Sequence, residues 1–227
     1  MSALGWLAAA SAAFVGTHFA MSHPLRASLM AALGEKWFQL LYTVVAVVTL
    51  YAIVSTYGRA ANAAPALLWD AGQAGYLAAT LLMWLGSILF AGSLRSNPAF
   101  PRIGEPIAHI GEARGVFAIT RHPMNWSFAS WALVHAIVNP TLAGLIVSAA
   151  ILILAIGGSV GQDAKKRRLL GDVWREWEAR TAFVPFARGF ALPDAFAFLG
   201  GTFVWLAATF AHGALGYRVA GLWHWFA

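Results

Sequence analysis

The chain has 227 residues, of which 60% are hydrophobic and 11% charged, with no cysteine and a formal net charge of +6. An ordinary soluble domain is nearer 45–50% apolar and about 25% charged, so a disordered tail, a collagen-like repeat and a soluble globule are excluded. Without Cys there is no disulfide framework, no thiolate metal site and no Cys nucleophile, so any metal needs His, Met or carboxylate ligands.

A bilayer-spanning helix takes about 20 apolar residues at about 1.5 Å rise each. Residues 3–22 carry no Asp, Glu, Lys or Arg, and the same holds for 37–58, 71–94 and 195–217. No basic stretch precedes the first of these, since the first Arg is Arg26, so it reads as a span rather than as a signal peptide. The 40-residue uncharged run 123–162 is long enough for two passes and is divided by Asn139-Pro140, a pair that starts turns and blocks helix continuation. The expected fold is all-α: one integral membrane domain over 1–227, a bundle of about six transmembrane helices at roughly 3–22, 37–58, 72–93, 122–138, 141–161 and 197–217.

Lys and Arg set the orientation. Alternate connections hold thirteen of the fifteen: Arg26 and Lys36, then Arg95, Arg102, Arg114 and Arg121, then seven from Lys165 to Arg188. The opposite side holds Arg59 and Arg218. This predicts a multi-pass protein of the bacterial inner membrane with basic loops in the cytoplasm and both termini in the periplasm. Basic loops facing lipid headgroups account for the net charge, and nucleic acid need not be invoked.

Between the fifth and sixth spans, Leu170, Val173, Trp174 and Trp177 recur at helical spacing while Arg175, Glu176 and Glu178 lie off the stripe. The pattern predicts an amphipathic helix on the cytoplasmic interface, steered by Lys165–Arg168, or equally a solvated charge run that fixes topology. Trp223-His224-Trp225-Phe226 suits an interfacial aromatic anchor. Gly157-Gly158-x-x-Gly161 suits close approach of helices.

Ionisable groups inside a membrane point to function by default. His18, His135 and His212 fall inside spans one, four and six; His23 and His122 sit at the inner interface, each followed by Pro; His109 and His224 complete the seven. There is no H-E-x-x-H, no paired intramembrane carboxylate and no phosphate loop. Imidazole is the commonest metal ligand and an axial ligand of haem iron, so two intramembrane His on different helices point to a bis-His haem b. Phe19, Trp131 and Phe210 are placed to wall a porphyrin, although any helix bundle in lipid contains such rings. The plain alternative is a histidine that only hydrogen-bonds a neighbouring helix. By depth, His18 lies about 6 Å above the inner interface, His135 about 20 Å and His212 about 22 Å, which pairs His135 with His212.

Further residues are more specific. Gly16-Thr-His18 with Ser22-His23-Pro-Leu-Arg26, Ile119-Thr-Arg121-His122-Pro-Met-Asn-Trp126, Trp131-Ala-Leu-Val-His135, Thr181-Ala-Phe-Val-Pro185-Phe186 and Phe210-Ala-His212 occur in this order. Together they resemble the NnrU family of multi-pass membrane proteins, which includes the plant 15-cis-zeta-carotene isomerase. The resemblance implies a role around denitrification or nitrogen-oxide redox metabolism for bacterial members. For the isomerase branch it implies haem b and cis–trans isomerisation of a polyene. By position it places the isomerase's axial histidines on His18 and His135, and it puts Ala132 where the isomerase has a Cys.

Arg121-His122-Pro-Met is also similar to a motif of the isoprenylcysteine carboxyl methyltransferases. That likeness implies an S-adenosylmethionine pocket lined by Arg121 and His122, with Glu176 or Glu178 nearby. Otherwise Arg121 is an interface anchor and His122 a helix-start residue. A third class of function is a non-catalytic partner in the assembly of a respiratory enzyme.

Overall fold

The computed structural model describes residues 1–98 and 110–226. His109 and Arg102 lie outside the described residues. Within them the chain forms α1 (Ala3–Ser22), α2 (Arg26–Ala63), α3 (Gly72–Ser93), α4 (Val116–Ile119), α5 (Pro123–Val138), α6 (Leu142–Leu170), α7 (Asp172–Arg180) and α8 (Ala195–Ala214), then a 3₁₀ turn at Leu222–Trp225. Among the described residues there is no strand.

The starts of these helices follow local chemistry. The side chains of Ser2, Thr141 and Asp194 accept hydrogen bonds from the backbone N–H of Gly5, Gly144 and Ala197, each satisfying an otherwise unpaired donor of the first turn. Pro123 occupies the first turn of α5, where its missing N–H costs nothing.

Five helices, α1, α2, α3, α6 and α8, are long and apolar enough to cross a bilayer. The remaining predicted span is α5, whose 16 residues reach only about 24 Å at helical rise. Its two ends are held by protein: Pro123 and Pro140 are fully buried. Two other helices outrun their predicted spans. α2 begins at Arg26 and breaks direction at Gly34, where φ is 74°, before running on to Ala63. α6 continues nine residues beyond position 161, carrying its charged inner end out of the apolar layer. α8 stops at Ala214, three residues short of the predicted end, as Gly216 turns into the left-handed region at φ 76°.

The helices pack in the order α2, α1, α6, α5, α3, α8. Small residues set the close approaches, as expected where lipid offers no hydrophobic drive between helices. A Cβ at Gly157 would press the Phe19 ring and one at Gly161 would overlap the His23 imidazole, so this glycine motif seats α1 against α6. Gly201 brings α8 onto the α3 backbone at Ile88. Many large apolar residues of α2, among them Trp37, Val44, Val47, Val48, Tyr51 and Val54, remain exposed, which suits a lipid-facing helix.

The predicted amphipathic helix forms as α7, and its apolar stripe faces protein. Trp174 and Trp177 are fully buried with Leu89, Val116, Phe117 and Ile119, closing the basic-loop end of the bundle. At the opposite end the terminal aromatic segment folds back on the bundle. His224 stacks on Tyr76 at 4.1 Å, and Trp223 Nε1 donates to the Leu206 carbonyl at 3.0 Å.

Candidate functional site

The polar groups gather in three places. The first is a buried cluster where the extended residues Thr120–His122 enter α5. Arg121 donates through Nε and Nη2 to Asp163 Oδ2 at 3.0 and 2.8 Å, and through Nη1 to the Thr181 carbonyl at 3.2 Å. The other carboxylate oxygen, Oδ1, faces His122 Nε2 at 2.9 Å and accepts from Trp174 Nε1 at 3.3 Å. His122 Nδ1 meets Gln162 Oε1 at 3.1 Å. The backbone closes the ring: Arg121 N–H donates to the Ala182 carbonyl at 2.8 Å, and Phe186 N–H to the Ile119 carbonyl at 3.0 Å. Glu178 balances a further charge, holding Arg167 at 2.6 Å with Arg121 Nη2 at 3.7 Å.

The Arg121, His122 and Asp163 side chains each have partners, which is the condition for keeping charge out of water. Arg121, His122 and Asp163 are all buried, and neither Arg121 nor His122 lines either of the two cavities described next. The cluster therefore joins α5, α6, α7 and the Thr181–Phe186 segment.

The second place is a cavity of about 520 Å³ between α1, α2, α5 and α6, at the same end as the cluster. One wall is apolar, with Phe14, Leu50, Phe128 and Leu154. Polar groups line the rest: His18, Ser22, His23, Tyr42, Asn125, Gln162 and Lys165. His18 Nδ1–H donates to the Phe14 carbonyl at 2.7 Å.

The third place is a smaller cleft of about 100 Å³ near the opposite end, between α5, α8 and α3. His135 and His212 meet there with ring centres 6.3 Å apart. Their Nδ1 atoms donate to the Trp131 and Ala208 carbonyls at 2.7 and 2.8 Å. Trp131 stacks on His135 at 3.8 Å, and Arg218 lines the same cleft. So does Trp205, whose buried indole N–H has no hydrogen-bond partner.

Of the predicted histidines, then, the structure brings His135 and His212 together and places His18 in the other cavity. The sequence reading did not single out Asp163, Gln162 or Tyr42, and it used Lys165 and Arg218 only as charges that set topology. Asp163 did carry a signal: it is an acid just past the end of a span and immediately before a basic run, where a buried counter-ion is needed. Among the described residues no group of three or more His, Cys, Asp or Glu is placed to hold a metal ion, so any metal at the histidines needs ligands beyond such a group, as a porphyrin supplies.

Long apolar helices, charged residues gathered at the helix ends and a small-residue interface define a polytopic α-helical membrane protein. The family model described as NnrU protein matches residues 6–219. The chain belongs to the NnrU family. No curated protein and no solved structure matches it.

Proposed function

We propose that this NnrU-family chain is a haem b protein of the bacterial inner membrane that serves nitrogen-oxide-linked redox metabolism, with His135 and His212 as axial ligands. The observation that carries the reading is the meeting of two imidazoles from different helices at 6.3 Å, each with Nδ1 on a backbone carbonyl. The two rings meet edge to face at 62°, and each would offer its Nε2 to a haem iron.

The surroundings fit in kind. The Trp131 and Ala208 carbonyls fix tautomer and ring orientation, as outer-shell partners of a metal-ligating histidine do. Arg218 supplies a cation for a propionate, and the Trp205 indole N–H is an unused donor in the same cleft. The enclosed volume is about 100 Å³, against roughly 300–1,000 Å³ for cofactor pockets in general. The cleft by itself is smaller than a porphyrin requires, and His212 is exposed at its edge.

A bound haem b supplies one-electron transfer. The nitrogen-oxide setting comes from the family resemblance alone. The distribution of Lys and Arg supports periplasmic termini and a cytoplasmic basic end. No observation favours the S-adenosylmethionine reading, since Arg121 and His122 are engaged by Asp163, Thr181 and Gln162.

The test is the absorption spectrum of protein purified in detergent from cells supplied with haem. A Soret band and a low-spin b-type reduced spectrum are expected, lost in both His135→Ala and His212→Ala and kept in His18→Ala. A colourless preparation, or a low-spin spectrum that survives in both variants, overturns the proposal.

A further inference from the structure

The larger cavity, at the other end of the bundle from the His135–His212 cleft, has a division of chemistry that the haem reading does not use. One wall is apolar, with Phe14, Leu50, Phe128 and Leu154, of which Leu50 and Phe128 also reach the outer surface of the bundle; His18, Ser22, Tyr42 and Asn125 line it beside them. Toward the basic-loop ends of α1 and α6 it presents Lys165, His23 and Gln162.

Lys165 is half-buried and makes no ion pair or hydrogen bond among the described residues, while Arg26 and Lys166 press like charge on it. Three acids of this end are committed elsewhere: Asp163 to Arg121 and His122, Glu178 to Arg167, Asp172 to Arg175. The His23 ring is held by packing, between Phe19 and the bare face of Gly161, with no hydrogen bond to either nitrogen. The Gln162 amide meets His122 Nδ1 at 3.1 Å and lines the cavity. A half-buried cation with surplus positive charge around it is stabilised by an anion.

We propose that this cavity binds a single-chain amphiphile with an anionic head, the head on Lys165, Gln162 and His23 and the chain along Phe14, Leu50, Phe128 and Leu154. The volume of about 520 Å³ lies within the roughly 300–1,000 Å³ that encloses a small-molecule ligand. Gly158 borders the chain region, and a Cβ there would meet nothing within 4 Å, so a larger side chain at 158 enters the cavity without disturbing the helices. The site is independent of the haem reading, and its failure would leave the absorption spectrum unchanged.

The test uses full-length protein in phosphatidylcholine nanodiscs, with radiolabelled palmitate and the uncharged hexadecanol as probes. Saturable palmitate binding is expected, at least tenfold tighter than that of hexadecanol. Lys165→Gln should weaken palmitate at least tenfold and leave hexadecanol unchanged, whereas Gly158→Leu should weaken both. Lys36→Gln, away from the cavity lining, should change neither. Each variant is first required to match the parent in melting temperature and elution volume. Repeating the measurement with phosphatidylglycerol in the disc separates the two sources of such a ligand: competition assigns the site to an anionic phospholipid, its absence to a free carboxylate. Equal affinity for the two probes, or unchanged palmitate binding in both cavity variants, overturns the proposal.

Discussion

One oxygen of the Asp163 carboxylate takes two hydrogen bonds from Arg121, at 3.0 and 2.8 Å, and so ties the start of α5 to the inner end of α6. Sharing a single oxygen frees the other for His122 and Trp174. The Arg121 and Asp163 side chains are 10% and 4% exposed, so removing the acid strands a buried guanidinium. Breaking such a pair costs about 3–5 kcal/mol, most of it the penalty of the partner left behind. Asp163→Ala is therefore expected to lower the unfolding midpoint sharply in detergent, followed by circular dichroism. Arg121→Met with Asp163→Leu should cost clearly less than the two single changes added. A loss below about 0.5 kcal/mol in Asp163→Ala would show that the cluster does not hold α5 in place.

Gly201 tests the packing of α8. A Cβ at this position meets the Ile88 amide nitrogen at 2.6 Å and the backbone around it, which cannot rotate aside as a side chain can. Gly201→Ala is expected to cost about 1–3 kcal/mol as α8 is forced away from α3. Gly16→Ala is the matched control: nothing lies within 4 Å, and alanine in a helix interior should stabilise by roughly 0.5–1 kcal/mol. Thermal unfolding of the two variants under one detergent condition reads the difference. Equal midpoints would mean that α3 and α8 are not in the contact described.

Most of the bundle was legible because apolar length is a direct physical requirement of the bilayer: α1 and α3 coincide with the predicted 3–22 and 72–93. The ends of α2 and α6 were not, because a helix does not stop where hydrophobicity does. Arg26–Leu33 and Gln162–Leu170 are helical outside the apolar layer, where propensity and packing decide. The site was legible in part. Depth along a helix paired His135 with His212, since helical rise converts sequence distance into height. The partners of Arg121 were hidden, because Asp163 and Thr181 lie 42 and 60 residues away and only the fold brings them close. The Trp174 and Trp177 stripe was readable as a stripe, yet no periodicity distinguishes a face turned to lipid from one turned to Val116 and Ile119.

The charge distribution makes a prediction about orientation that the native absence of cysteine renders simple to check. Ala66 and Glu176 are both exposed, in the loop after α2 and on α7. Ala66→Cys should react with a membrane-impermeant maleimide added to intact spheroplasts. Glu176→Cys should react only in inside-out vesicles, or once the membrane is permeabilised. The reversed pattern would place the thirteen basic residues outside, against the positive-inside rule.

His23 supplies the pH dependence. Burial is the first cause that lowers its pKa below the ordinary 6.5, and the nearby cations Lys165 and Arg168 lower it further. The unfolded chain then binds a proton near pH 6.5 that the folded chain still refuses, so the unfolded state carries more protons and stability rises with pH. The His23 contribution is intact above pH 6.5, starts to be lost as the pH falls through that value, and is fully lost below the folded-state pKa. Unfolding midpoints measured from pH 7.5 down to 5.5 should therefore fall, and His23→Asn should make that slope shallower. Lys165→Gln removes one of the two cations and should flatten it in part. A slope unchanged by His23→Asn would assign the acid sensitivity to other groups and leave His23 outside it.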